Sequence, residues 1–183
     1  MYNRINEKWL VIVIFFCYNF GGEESLKKNI YIIAIVLFVL DQFTKYLVEE
    51  YLISTVPIIG SFFTLEKVHN IGAAWGILGG SIFFLVLISA VALIVLNEYL
   101  RYEKKFNKIS VFGYGLLMGG ILGNLIDRIL YGYVIDFLSF TFGSYQFPVF
   151  NLADMGIVIG IGFLFIEICR GEVYEIRNRR RKR

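Results

Sequence analysis

Four apolar runs, each long enough to cross a lipid bilayer, constrain this chain more than any other feature of its sequence. A membrane-spanning helix needs about 20 mostly apolar residues. The runs extend over Ile30–Val48, Ile82–Leu100, Ile109–Leu130 and Phe150–Cys169. The composition agrees, because 57% of the 183 residues are hydrophobic and only 18% are charged, which is typical of small polytopic membrane proteins. We predict a mainly α-helical membrane protein with four transmembrane helices.

A fifth apolar run, Trp9–Phe20, is too short to cross a bilayer. It has the length of the apolar part of a signal peptide, but no small-residue cleavage site follows it. We interpret residues 1–28 as an N-terminal extension, formed either by an interfacial helix or by extra residues from an upstream start codon. Residues 29–170 are predicted to form one transmembrane domain, and residues 171–183 a basic cytoplasmic tail.

Basic residues are distributed unevenly among the segments outside the four runs. They are concentrated before the first run, in the 101–108 link and in the tail, whereas the 49–81 loop holds only Lys67 and the 131–148 loop holds none. Cytoplasmic loops of membrane proteins carry the excess of Lys and Arg. Both termini and the 101–108 link are therefore predicted to be cytoplasmic, and the other two loops extracytoplasmic.

The 50–75 part of the first extracytoplasmic loop carries the pattern of a β-hairpin. Two β-prone runs, Val56–Ile59 and Phe62–Leu65, flank Gly60 and Ser61, as two strands flank a short turn. The loop joins the outer ends of two predicted spans. We therefore predict a small β-sheet, or cradle, on the outer membrane surface.

Ionisable residues inside predicted spans are costly, and by default they mark a functional site. Asp41 and Lys45 are four residues apart on the first span, so they share one helix face. One interpretation is a helix-stabilising ion pair in which Lys45 extends outward to the interface. The other is that the pair supports a functional site.

The third span carries a polar face close to its outer end. Asn124, Asp127 and Arg128 are spaced i, i+3 and i+4, so they lie on one side of the helix. Glycines between positions 119 and 123 allow another backbone to approach closely. The alternative to a functional site is a packing seam that contains an Asp127–Arg128 charge pair.

Two further carboxylates arrive at the same membrane level. Asp136 lies among apolar neighbours in YGYVIDFLSF, so we expect its pKa to rise, unless it is an ordinary exposed loop residue. Asn151 and Asp154 open the fourth span, where an acidic residue also simply favours the helix N-terminus. That second interpretation explains Asp154 alone and leaves Asp136 unexplained.

Two carboxylates held close together cannot both ionise easily, so one keeps a proton. The ionised member can take a proton from a water that attacks a carbonyl, while the protonated member donates to the carbonyl oxygen. Such a pair hydrolyses a peptide bond without a metal or another cofactor. His69 is the only histidine, which excludes a multi-histidine metal site, and no G-x-S-x-G motif is present. A serine–lysine pair that uses Lys45 is formally available, but no serine lies in a comparable polar cluster.

Four stretches together resemble one family. They are 41-DQFTKYLV-48, 69-HNIGAAWGIL-78, 119-GGILGNLIDRILYGYVIDF-137 and 147-FPVFNLAD-154. Each is a weak signal alone, but all four in order among four predicted spans resemble the bacterial lipoprotein signal peptidases, also called signal peptidase II. The resemblance covers roughly Ile30 to Cys169 and leaves residues 1–28 unassigned.

The resemblance implies an aspartic endopeptidase of the bacterial cytoplasmic membrane, with four transmembrane helices and a β-cradle on the outer face. It implies a prolipoprotein substrate that carries a diacylglyceryl cysteine, cleaved just before that cysteine. The implied catalytic residues are Asp136 and Asp154. Further motif positions, with implied roles in shaping the site or contacting substrate, are Asp41, Lys45, Asn70, Gly72, Asn124, Asp127, Arg128, Asn151 and Ala153.

Asp127 is the runner-up for a direct catalytic role. The neighbouring cation of Arg128 should favour its ionised form, so a structural ion pair suits Asp127 better. The alternative function is a small transporter with a buried Asp, Asn and Arg cluster, although broken helices and inverted repeats are not evident. Beyond substrate and membrane lipid we expect no partner, no nucleic acid and a monomeric state.

Overall fold

The computed structural model describes residues 25–72, 81–103 and 105–181. The run Trp9–Phe20, interpreted above as part of an interfacial helix or of extra N-terminal residues, lies outside the described residues. The described helices are α1 (Ser25–Tyr51), α2 (Ile82–Tyr102), α3 (Lys108–Tyr131) and α4 (Leu152–Arg181). The described strands are β1 (Val56–Ile59), β2 (Phe63–Asn70), β3 (Val134–Phe142) and β4 (Tyr145–Gln146).

Each of the four helices contains a stretch long and apolar enough to cross a membrane. These stretches are Leu26–Tyr51, Ile82–Tyr102, Lys108–Tyr131 and Leu152–Arg170. The prediction of four membrane-spanning helices with a small sheet is therefore confirmed. The structure extends α4 well beyond the predicted end at Cys169. The prediction from hydropathy ends where charged residues begin, because charged residues do not favour a membrane span. Glu and Arg are nevertheless good helix formers, so the helix continues.

Helix α3 forms the centre of the bundle. Its apolar stretch is 67% buried, compared with 6% for α2. Close packing is possible because small residues face the neighbouring helices: an added Cβ at Gly119 would lie 2.6 Å from the Ala34 carbonyl oxygen of α1, and one at Gly120 would overlap the Ala153 carbonyl oxygen of α4. Glycines of this kind let helix backbones approach in a bilayer, where no hydrophobic effect drives association.

The four strands form one antiparallel sheet in the order β1-β2-β3-β4. The predicted hairpin is present, and Gly60 supplies a left-handed turn with φ of 50°. Strand β2 is longer than predicted, because its second half pairs with β3, a partner distant in sequence: Val68 lies opposite Asp136 and Asn70 opposite Val134. Local sequence does not reveal a pairing of this range.

Strand β3 also fixes where α4 begins. Phe150 and Leu138 exchange backbone hydrogen bonds, with N–O distances of 2.8 and 3.1 Å. Asn151, the residue that immediately precedes α4, therefore lies directly beside the strand that carries Asp136. One face of β3 packs against the end of α1 through Val48, Ile135 and Phe137. Because side chains alternate along a strand, Asp136 points to the opposite face.

Candidate active site

The start of α4 positions Asp154 through a reciprocal helix cap. Asn151 Oδ1 accepts from the backbone NH of Asp154 at 2.9 Å, and Asp154 Oδ2 accepts from the backbone NH of Asn151 at 3.2 Å. This is the arrangement of a capping box, with an aspartate in the position usually taken by Glu or Gln. Asp154 thus takes part in the cap at the start of α4, as its place at a helix N-terminus predicts. The cap also orients the Asp154 carboxylate.

The same Asn151 side chain reaches the second carboxylate. Its Nδ2 donates to Asp136 Oδ1 at 2.6 Å. From the other side, Asn70 Nδ2 donates to Asp136 Oδ2 at 2.8 Å. A single asparagine therefore holds one carboxylate with its backbone and the other with its amide, which brings the two aspartates into one polar site.

Burial sets the protonation of Asp136. The residue is 2% exposed. The loss of water, and after it the negative charge of Asp154, raise the pKa of its carboxyl group to about 7. Hydrogen bonds from Asn70 and Asn151 act in the opposite direction. The expected rise in the pKa of Asp136 is confirmed. Desolvation is its largest cause, and repulsion by the charge of Asp154 is the second.

Asp154 is partly exposed, whereas Asp136 is buried. Asn124 Nδ2 donates to Asp154 Oδ1 at 2.7 Å, in addition to the backbone bond from Asn151. The positive end of the α4 dipole also favours a negative charge in the first helical turn. The environments of the two carboxylates therefore differ: Asp136 is buried, whereas Asp154 is partly exposed at the start of α4.

A buried ion cluster lies beneath the two carboxylates. Lys45 is 1% exposed, and its Nζ contacts Asp41 Oδ2 at 2.8 Å, Asp127 Oδ2 at 2.8 Å and Asn124 Oδ1 at 3.0 Å. Three acceptors use all three ammonium protons. The interpretation that Lys45 extends outward to the interface is wrong, because the neighbouring α3 offers a carboxylate inside the bundle.

The expected pairing of Asp127 with Arg128 is also wrong. Asp127 pairs with Lys45 of α1, whereas Arg128 donates to the backbone oxygens of Asn124 and Gly72, each at 3.3 Å. Adjacent helical residues point about 100° apart, so they do not face each other. Arg128 thereby holds Gly72, two residues after β2. The backbone NH of Gly72 in turn donates to Asn70 Oδ1 at 2.9 Å.

The sequence reasoning missed Gln42. Its Nε2 donates to Asp127 Oδ1 at 2.8 Å, to Asp41 Oδ2 at 3.2 Å and to the Gly123 carbonyl at 3.3 Å. It therefore joins the two carboxylates that share Lys45. The available signal was its place between Asp41 and Lys45, because an uncharged amide inside an apolar span also needs a partner.

Asp41 connects the ion cluster to the head of α4. Its Oδ1 accepts from the backbone NH of Ala153 at 2.9 Å, which satisfies a donor that has no partner within the helix. Hydrogen bonds and ion pairs thus join all eleven sequence-predicted positions into one continuous network. Its members are Asp41, Lys45, Asn70, Gly72, Asn124, Asp127, Arg128, Asp136, Asn151, Ala153 and Asp154.

Comparison with known proteins agrees with this geometry. The model of the family described as signal peptidase (SPase) II matches residues 33–170. Two curated relatives, both named lipoprotein signal peptidase, come from Symbiobacterium thermophilum and Brevibacillus brevis. The first is 42% identical over 75% of this chain and 91% of the relative, and the second is 43% identical over 75% and 93%.

Solved structures show the same fold. A bacterial membrane enzyme determined by the in meso method at 2.3 Å superposes with a TM-score of 0.73 at 33% identity, over 78% of this chain and 88% of that one. A second, determined at 1.9 Å, gives 0.70 at 34% identity, over 77% and 92%. With the family model spanning all four membrane helices and relatives of this identity, the chain belongs to the signal peptidase II family.

Proposed function

We propose that this chain is an aspartic endopeptidase that removes the signal peptide from diacylglyceryl-modified prolipoproteins, just before the lipidated cysteine, with Asp136 and Asp154 as the catalytic pair. The observation that carries the catalytic assignment is the Asn151 bridge, whose amide donates to Asp136 and whose backbone holds Asp154. The family membership supports the substrate class, since the relatives carry the name lipoprotein signal peptidase. Membership of a peptidase family also disfavours the alternative function as a transporter.

The environments of the two carboxylates give them different roles. In the proposed mechanism Asp154 acts as the general base: it takes a proton from water while the water oxygen attacks the scissile carbonyl carbon. Asp136, which keeps its proton up to about pH 7, donates it to the carbonyl oxygen. Asp154 then gives its new proton to the leaving amine, and Asp136 recovers a proton from the tetrahedral intermediate as the C–N bond breaks. Both carboxyl groups return to their starting states.

Lys45, Asp41, Asp127 and Gln42 serve this chemistry by holding the helices in place. Asp41 fixes the first turn of α4 through the NH of Ala153. Lys45 fixes Asn124, which donates to Asp154. We assign these residues to positioning, because each is linked to the carboxylate pair by hydrogen bonds only through another residue.

The substrate bond is proposed to enter from the extracytoplasmic membrane surface. All residues of β1 are exposed, including the apolar Ile58 and Ile59, and Phe62 in the turn before β2 is exposed as well. Exposed apolar patches of this kind mark contact with a membrane or a partner, and a lipidated cysteine brings its acyl chains to that level. The distribution of Lys and Arg supports cytoplasmic termini. A monomer suffices, because one chain supplies every residue of the network.

The decisive experiment measures cleavage of a lipidated precursor peptide by the purified full-length chain in bilayers. We expect Asp136→Asn and Asp154→Asn each to reduce the rate at least about a hundredfold, the usual minimum for loss of a general acid or base. Glu98→Gln is the matched control, since it neutralises an exposed carboxylate of α2. Wild-type rates in either aspartate variant would overturn the catalytic pair, and equal cleavage of unlipidated peptide would overturn the substrate class.

The pH dependence provides a second check. The pair works with one proton, so kcat/KM should fall as pH rises through about 7, where Asp136 loses its proton. The measurement is a pH–rate profile with the lipidated peptide. A rate that stays level from pH 6 to pH 9 would contradict Asp136 as the acid.

A further inference from the structure

His69, a residue outside the network of the catalytic pair, makes a hydrogen-bonded and an aromatic contact on the α1 side of the sheet. His69 Nε2 lies 2.9 Å from Glu49 Oε2. A carboxylate only accepts hydrogen bonds, so Nε2 carries the proton in this contact. The imidazole ring stacks on Tyr133, with centroids 4.1 Å apart and planes 24° from parallel.

These contacts join three of the elements that supply polar groups to the site: α1, β2 and β3. Glu49 lies in the last turn of α1, the helix of Asp41 and Lys45. His69 lies near the end of β2, and Tyr133 directly precedes β3. A second hydrogen bond also joins β2 to α1: Lys67 Nζ donates to the backbone oxygen of Glu49 at 3.0 Å. The end of β2 is thus fastened to α1 by two side chains.

The sheet register explains why this fastening matters. The pairing of β2 with β3 shifts between Leu65 and Val68, so only the last three residues of β2 continue the ladder beside Asp136. Side chains alternate along a strand. His69 therefore points to the face of α1, while its neighbour Asn70 points to the face of the catalytic pair and donates to Asp136 Oδ2 at 2.8 Å.

We propose that His69, held by Glu49 and Tyr133, is a positioning residue for the reaction, acting through Asn70 on Asp136. Loss of the His69 contacts lets the short end of β2 shift, which lengthens the bond from Asn70 to the carboxylate. That bond favours the ionised form of Asp136. Its weakening therefore makes Asp136 keep its proton to a higher pH. The proposal rests on the proposed function, since it needs Asp136 to be the catalytic acid.

The test uses full-length protein in bilayers with the lipidated precursor peptide. We expect His69→Ala to lower kcat about fivefold to tenfold, the effect of roughly one hydrogen bond, with KM changed less than about twofold. The alkaline limb of the pH–rate profile should move upward by about 0.5 pH unit. His69→Gln, which keeps an N–H donor for Glu49, should restore most of kcat and the position of the limb.

Glu98→Gln is the control, because the Glu98–Arg101 pair is also exposed and 2.9 Å long but lies on α2, away from the site. It should leave kcat and the limb unchanged. If His69→Ala lowers only the melting temperature, and kcat and the limb stay at wild-type values, the positioning role is refuted. Failure of the proposed function gives a different result: Asp136→Asn would then keep full activity, independently of the result for the His69 variants.

Discussion

Helices α2 and α3 are both apolar and of similar length, yet they have opposite positions in the bundle. The apolar stretch of α2 is 6% buried and that of α3 is 67% buried. Helix α2 contains no glycine and is rich in Leu, Ile, Val and Phe. Helix α3 carries five glycines together with Asn124, Asp127 and Arg128. Hydropathy identifies both as spans, but small and polar residues decide which one becomes the centre.

The comparison shows which helix contributes more to the stability of the bundle. Because α2 mostly faces outward, its large side chains gain little from folding once lipid surrounds the chain. Helix α3 gains from close backbone contact and from buried polar bonds to α1 and α4. Matched changes in the two helices should therefore have very different effects.

Removing the buried cation next to α3 should have the largest effect. Lys45→Met leaves the buried carboxylates of Asp41 and Asp127 without their cation. An uncompensated buried charge costs about 3–5 kcal/mol of unfolding free energy. The measurement is thermal or denaturant unfolding of the purified protein in micelles, and cleavage activity should fall with it.

The matched change on α2 is Arg101→Met. Arg101 pairs with Glu98 at 2.9 Å, but their side chains are 62% and 44% exposed. Exposed ion pairs contribute little to stability, so the melting temperature should stay close to wild type. If both variants lost the same stability, the contrast between the two helices would be wrong.

Adding one methyl group to α3 should have the next largest effect. A Cβ at position 120 would overlap the Ala153 carbonyl oxygen and lie 2.8 Å from the Ile157 side chain. Gly120→Ala should destabilise by about 1–3 kcal/mol, as overpacking does, and should displace the turn that carries Asp154. Val91→Leu adds one carbon on an exposed part of α2 and should change neither unfolding nor cleavage. Wild-type unfolding of Gly120→Ala would show that α3 and α4 can separate freely.

The smallest effect is expected at the helix caps. Asn107 caps α3, accepting from the NH of Ser110 at 3.0 Å, and Ser110 returns the bond in a capping box. Ser81 precedes α2 without a side-chain cap bond. Asn107→Ala should cost about 1 kcal/mol, whereas Ser81→Ala should cost almost nothing. Unfolding curves of the two variants, collected side by side, decide this; equal losses would mean that the Asn107 cap contributes nothing specific.

Much of the fold could be predicted, because its strongest signals are local. A span shows itself through about 20 apolar residues, and the β1–β2 hairpin through a glycine between two β-prone runs. The extension of β2 to Asn70 could not be read in this way, since it depends on pairing with β3. Hydropathy did not predict the continuation of α4 into its charged end, because hydropathy detects apolar membrane-spanning segments and not helical conformation.

The candidate site shows the same division. Asp136 was singled out by a carboxylate in an apolar setting, and Asp154 by its place at a helix start, both local patterns. The partner of Asp127 was mistaken because Arg128 is adjacent in sequence, while Lys45 approaches only when α1 packs against α3. Gln42 was overlooked because an uncharged residue gives no electrostatic signal by itself.

The bridge formed by Asn151 has a consequence for when the enzyme can work. Asp154 belongs to a helix and Asp136 to a strand, and both depend on the same asparagine. During biosynthesis, a partly inserted chain would hold the two acids apart. With the proposed catalytic pair, proteolytic competence requires complete assembly in the bilayer, and we expect a nascent or misinserted copy to have no cutting activity that could damage its neighbours.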